Sequence, residues 1–86
     1  MKLYRILTED KNRQDIEKLV GIVFDGFPIY SVTRYWKGQR KASLVIEIYA
    51  PDLDAELVRF TAEAIKLANG QESVLMLELE ARGGLV

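Results

Sequence analysis

Residues 30–50, YSVTRYWKGQRKASLVIEIYA, decide the fold. Two runs rich in β-branched and aromatic residues flank Lys37-Gly38, a pair able to turn the chain back on itself, so the stretch reads as strand, tight turn, strand. Strands are expected over 29–36 and 42–50, with KGQR as the turn and Pro51 as the stop. The sequence on either side then determines what this hairpin sits within.

Upstream, KLYRILT (2–8) alternates and reads as a strand. Asn12, with Asp15 three residues on, resembles an N-cap and an acid at the positive end of a helix. Ile16, Leu19, Val20, Val23 and Phe24 form one apolar stripe, closed by Gly26 and Pro28. Gly21 inside that helix costs roughly 1 kcal/mol relative to Ala, which predicts a close approach to a strand there. Downstream, Asp52 and Asp54 are capping candidates. Leu57, Phe60, Ala64, Leu67 and Ala68 define the expected core face of a helix over 55–68, and Asn69-Gly70 ends it. SVLMLELEA (73–81) reads as the last strand, with 82–86 as a mobile tail.

The order is β-α-β-β-α-β, a split βαβ: an α+β, ferredoxin-like domain spanning residues 1–86, with a four-stranded antiparallel sheet and two helices on one face. Alternation assigns the faces. Tyr4, Ile6, Leu44, Ile46 and Ile48, with Leu75, Leu77 and Leu79, are expected to look towards the helices. Leu3, Arg5, Leu7, Val45, Glu47, Tyr49, Val74, Met76, Glu78 and Glu80 then face outward, and Arg5 stands between Glu47 and Glu78 as a cross-strand charge ladder. An open face mixing apolar residues with a paired charge row suits burial against another subunit. The bland alternative is a wet antiparallel sheet with scattered apolar side chains.

Composition narrows the function. A chain of 86 residues buries only about 60 to 65% of its unfolded surface, so association would supplement a thin stability margin. Twelve Lys and Arg against thirteen Asp and Glu leave a net charge of -1, with no general field for nucleic acid or an anionic membrane. The absence of His and Cys removes most metal sites and most triads; an enzyme would need a Glu, Lys or Tyr of shifted pKa that nothing singles out. No signal-peptide core or run of about 18 apolar residues occurs, which predicts a soluble cytoplasmic protein.

The local concentration of positive charge is RYWKGQRK, 34–41, four cations beside Tyr35 and Trp36 with no acid between Asp25 and Glu47. Arg34, Lys37, Arg40 and Lys41 could grip phosphate while Tyr35 or Trp36 stacks on a base. Otherwise the aromatics plug a sheet edge or interface and the cations protect that edge. Gln71, Glu72 and Ser73 either form the turn after the second helix or line the same cleft. Asp52 and Asp54 are explained as caps without a metal, and Arg82-Gly83-Gly84 makes no phosphate loop because no helix follows.

The element order, with YWKGQRKASLVIEIY (35–49) as the central hairpin, resembles the PII-like superfamily of small ferredoxin-like proteins. It looks most like the CutA divalent-cation tolerance branch, whose hairpin carries an aromatic-x-Trp or Tyr-Trp, Lys-Gly segment followed by an acidic residue and an apolar strand. GQESVL (70–75) is similar to a segment of small PII-like domains, some phage-encoded. The resemblance implies a homotrimer whose open faces meet, with ligand clefts between subunits near the hairpin. The long loop of signalling PII proteins is missing, and the His and Cys residues proposed as metal ligands in the CutA branch have no counterpart, so no metal or cofactor is expected. The leading reading is a non-catalytic oligomeric binder of a small anionic, phosphorylated or nucleotide-like ligand, in a phage setting a sequestering protein for a signalling nucleotide. The alternative is a single-stranded RNA-binding or protein-interaction module of the same topology. RNA recognition by such modules needs aromatics on the outward face of the first and third strands, where Tyr49 stands beside Glu47.

Overall fold

The computed structural model describes residues 1–83. Its order is β1 (Lys2–Glu9), α1 (Arg13–Val23), β2 (Ile29–Trp36), β3 (Gln39–Ala50), a 3-10 turn (Asp52–Asp54), α2 (Ala55–Ala68) and β4 (Leu75–Glu80). The four strands pair antiparallel in the order β2-β3-β1-β4, giving the expected ferredoxin-like sheet with β1 between β3 and β4. Tyr4 and Ile6 of β1 and Leu44, Ile46 and Ile48 of β3 are buried beneath Ile16 and Val20 of α1 and Val58, Ala62 and Ile65 of α2. Both helices therefore cover one face. Of the expected tail, Arg82 and Gly83 lie outside any helix or strand, and 84–86 lie outside the described residues.

The structure reverses the expected faces of β4. Its partners on β1 are Ile6↔Met76 and Tyr4↔Glu78, so Val74, Met76 and Glu78 turn to the helix side; Val74 and Met76 pack against the core. Leu75, Leu77 and Leu79 stand opposite Leu7, Arg5 and Leu3 on the open face. The more apolar set, the three leucines, faces away from the helices, so alternation groups the residues of this strand correctly while its apolar content misassigns the inward group. The charge ladder is halved accordingly. Arg5 Nε meets Glu47 Oε2 at 2.8 Å, while Glu78 pairs with Lys2 at 3.5 Å on the helix side.

Helix α2 also presents a different face. Val58, Thr61, Ala62 and Ile65 are buried, whereas Phe60 is 65% and Leu67 78% exposed. The helix carries two apolar stripes, and the one with the smaller and β-branched residues lies closer to the sheet. A Cβ on Gly21 would meet nothing within 4 Å among the described residues, so no close approach there explains that glycine. Asn12 adopts a left-handed backbone (φ 56°) and makes no side-chain cap; that conformation turns its amide towards Asn69 instead. Asp52 and Asp54 likewise make no side-chain cap and form the 3-10 turn before α2. Among the described residues no helix is long and apolar enough to cross a membrane.

Candidate functional site

The hairpin is longer than its sequence signal. β3 begins at Gln39, and only Lys37 and Gly38 separate the strands, with φ of 49° and 77°. Two successive left-handed residues make the tight turn whose twist matches paired strands. Pairing runs Trp36↔Gln39, Tyr35↔Arg40 and Arg34↔Lys41, whereas β1 ends opposite Ser43, so the tip projects beyond the central sheet. Register then separates the candidate residues. Arg34, Trp36 and Lys41 lie on the open face, in line with Ser43 and Val45; Tyr35 and Arg40 lie on the other face. Lys37 at the tip places its ammonium 5.8 Å from the Trp36 ring centroid, a cation–π contact.

Facing this side of the hairpin is the α2–β4 connection. Gly70 (φ 63°) reverses the chain: its N–H donates to Leu67 O at 3.2 Å and that of Gln71 to Lys66 O at 3.0 Å, a Schellman closure. The loop is anchored from beneath by Asn69, only 4% exposed, whose Nδ2 donates to Thr8 Oγ1 and to Gln71 Oε1, each at 3.1 Å. Asn12 Nδ2 donates to Asn69 Oδ1 at 3.2 Å, and the Thr8 hydroxyl donates to Gln71 Oε1. Buried carboxamides and hydroxyls must be paired, and here the pairing ties β1, the start of α1 and the end of α2 to one loop. Sequence reading takes Asn69 only as part of a helix stop and passes over Thr8. A polar residue closing the otherwise apolar inward set of β1 was the available signal.

Between hairpin and loop lies a depression of about 790 Å³. Arg34, Trp36 and Lys41 line one wall, Gln71, Glu72 and Ser73 the other, with Leu7 and Glu9 between them. Six of the nine predicted ligand residues thus converge; Tyr35, Lys37 and Arg40 are not in its lining. Two cations are set against two carboxylates, and Glu9 is itself paired with Lys11 at 3.3 Å. Arg34 Nε and Ser43 Oγ, on the same face, are buried without a hydrogen-bond partner among the described residues. Trp36 is 62% exposed, with the Lys37 ammonium against its ring. No group of three or more His, Cys, Asp or Glu placed to hold a metal ion occurs among the described residues. At the opposite end of β1, burial first, then Glu78, raises the Tyr4 phenol above its ordinary pKa, while Asp52 and then Glu78 raise Lys2.

The chain matches no protein-family model, and no curated protein sequence matches it. Its fold is shared with solved structures. A DUF3240 family protein from Shewanella baltica OS155 superposes with a TM-score of 0.78 at 12% identity, covering 99% of this chain and 94% of that one. The PII-like protein CutA from Nostoc sp. PCC 7120, in its apo form, gives 0.68 at 15% identity, covering 94% and 81%. The de novo designed protein Foldit4 gives 0.51 at 16%, covering 94% and 96%. The resemblance to PII-like and CutA-like proteins therefore holds at the level of the fold.

Proposed function

We propose that this chain is a non-catalytic binding protein of the cytoplasm. It holds a small phosphorylated, nucleotide-like ligand at the boundaries between subunits of a homo-oligomer, a trimer by preference. One observation carries the reading: Arg34, Trp36 and Lys41 meet Gln71, Glu72 and Ser73 across a single depression, with Arg34 Nε and Ser43 Oγ buried beside it and unpaired among the described residues. Guanidinium and ammonium groups suit phosphate oxygens, and an exposed indole suits a base. A buried donor without a partner costs about 1–3 kcal/mol, which a ligand that satisfies it returns as affinity. A binder without chemistry of its own fits capture of a signalling nucleotide, the role that the likeness to phage-encoded domains suggests.

The depression opens on the same face as Leu3, Leu7, Tyr49, Leu75, Leu77 and Leu79, which surround the Arg5–Glu47 pair. A neighbouring subunit laid on that face removes these side chains from water and adds a wall to the cleft. The corrected β4 register strengthens this reading, because three leucines replace Val74, Met76 and Glu78 in the proposed contact.

Light scattering and titration with a nucleotide panel test both halves. Leu77→Glu is expected to give monomers that retain the native circular dichroism spectrum, and Arg34→Ala or Trp36→Ala to weaken nucleotide binding by about tenfold or more. A wild-type monomer, or affinity indifferent to both site substitutions, refutes the corresponding half.

A further inference from the structure

Gln71 stands between two main-chain groups that each have one possible role. The Glu9 N–H can only donate, and it meets Gln71 Oε1 at 3.4 Å. The Ser73 carbonyl can only accept, and Gln71 Nε2 donates to it at 3.3 Å. Turning the carboxamide over would set N–H against N–H and oxygen against oxygen, so the backbone dictates its orientation. Asn69 Nδ2 at 3.1 Å and the Thr8 hydroxyl donate to the same Oε1. The oxygen end is fully engaged. Nε2 carries two hydrogens; Ser73 takes one, and the other has no partner among the described residues.

We infer that Gln71 sets the ligand specificity of this site: Arg34 and Lys41 hold the anionic end, and the pinned Nε2–H reads a hydrogen-bond acceptor at the uncharged end. The inference rests on the binding reading above and refines its ligand class. Glu72, the next residue on the same wall, contributes an acceptor-only carboxylate. A donor beside an acceptor complements an edge carrying C=O beside N–H, as in an oxo-base. An amino-base anchored by the same phosphate presents the reverse order, an amine donor where the oxygen would be. The ligand class is therefore a phosphorylated nucleoside with an oxo-type base. Gln71 is half-buried, and its donor discriminates through fixed orientation: the wrong partner sets like against like, and the carboxamide has no freedom to turn.

Calorimetric titration with inosine 5′-monophosphate, adenosine 5′-monophosphate and ribose 5-phosphate tests this, using wild type, Gln71→Met and Gln71→Glu. Wild type is expected to prefer the inosine compound by about tenfold or more. Gln71→Met keeps the length of the side chain but removes Oε1 along with both donors, leaving Thr8 and Asn69 without that acceptor; the nucleotide ratio falls to about one. Gln71→Glu keeps an acceptor for Thr8, Asn69 and Glu9, exchanges the donor for an acceptor and reverses the preference; the variant that keeps the wild-type circular dichroism spectrum decides. The same nucleotide ratio in wild type and Gln71→Met overturns the inference. So does equal binding of the two nucleotides by wild type, with the phosphate-binding reading left standing. Failure of wild type to bind any of the three probes overturns that reading, and the inference with it.

Discussion

Replacing Asn69 by Ala removes the central member of the network beneath the Gln71 loop. Three hydrogen bonds go with the side chain: two from Nδ2, to Thr8 and Gln71, and one accepted from Asn12. The backbone at Asn69 (φ -90°, ψ -5°) suits alanine, so no conformational strain enters. Asn12 is exposed and can turn to water, which makes its bond worth little; Thr8 is 1% exposed and loses a donor it cannot replace. Two bonds of about 1 kcal/mol each, with a further fraction for the stranded Thr8 oxygen, give a destabilisation of about 2–3 kcal/mol. For a chain of this size that lowers Tm by about 10–20 °C. Urea unfolding followed by far-ultraviolet circular dichroism measures it, at matched protein concentration because association adds to apparent stability. Asn12→Ala, the control, is expected to cost about 0.5 kcal/mol or less. Equal losses from the two substitutions, or a loss below about 0.5 kcal/mol for Asn69→Ala, would refute the claim that the buried network organises this loop.

Three further outcomes follow from the same structure. Gly21→Ala, with open space where the methyl group goes and no positive φ, should stabilise by about 1 kcal/mol; a loss of stability would mean that something does pack there. Phe60→Ser should change stability by about 0.5 kcal/mol or less, while Ile65→Ala costs about 2–5 kcal/mol; denaturation midpoints in the opposite order would restore the stripe read from sequence as the core face of α2. The Tyr4 hydroxyl is buried without a hydrogen-bond partner among the described residues, and burial raises its pKa above the ordinary phenol value. Its contribution is whole below the unfolded pKa and is lost as pH rises through the higher folded value. Tyr4→Phe should accordingly be neutral or stabilising at pH 7 and should lessen the fall in stability above about pH 10, where a pH series of thermal melts reads both effects.

Much of the fold was legible because its signals are local. β-branched runs about Lys37-Gly38 specify a hairpin through turn chemistry, Asn69-Gly70 specifies a helix stop through a left-handed residue, and alternation specifies which residues of β1 and β3 share a face. The convergence of Arg34, Trp36 and Lys41 with Gln71–Ser73 follows from two facts of different origin. Their identities stand in the sequence, while their adjacency depends on β1 lying between β3 and β4.

Local sequence specifies the elements, their order, and the grouping of side chains on each. The packed fold settles which group faces inward: Met76 rather than Leu77 in β4, and Val58 and Ile65 rather than Leu57 and Phe60 in α2. Periodicity is an internal property of a segment and is unchanged by rotating a helix or turning over a strand. The choice between such orientations is made by partners distant in the chain, and those partners also gave Asn69 its buried place beneath the loop.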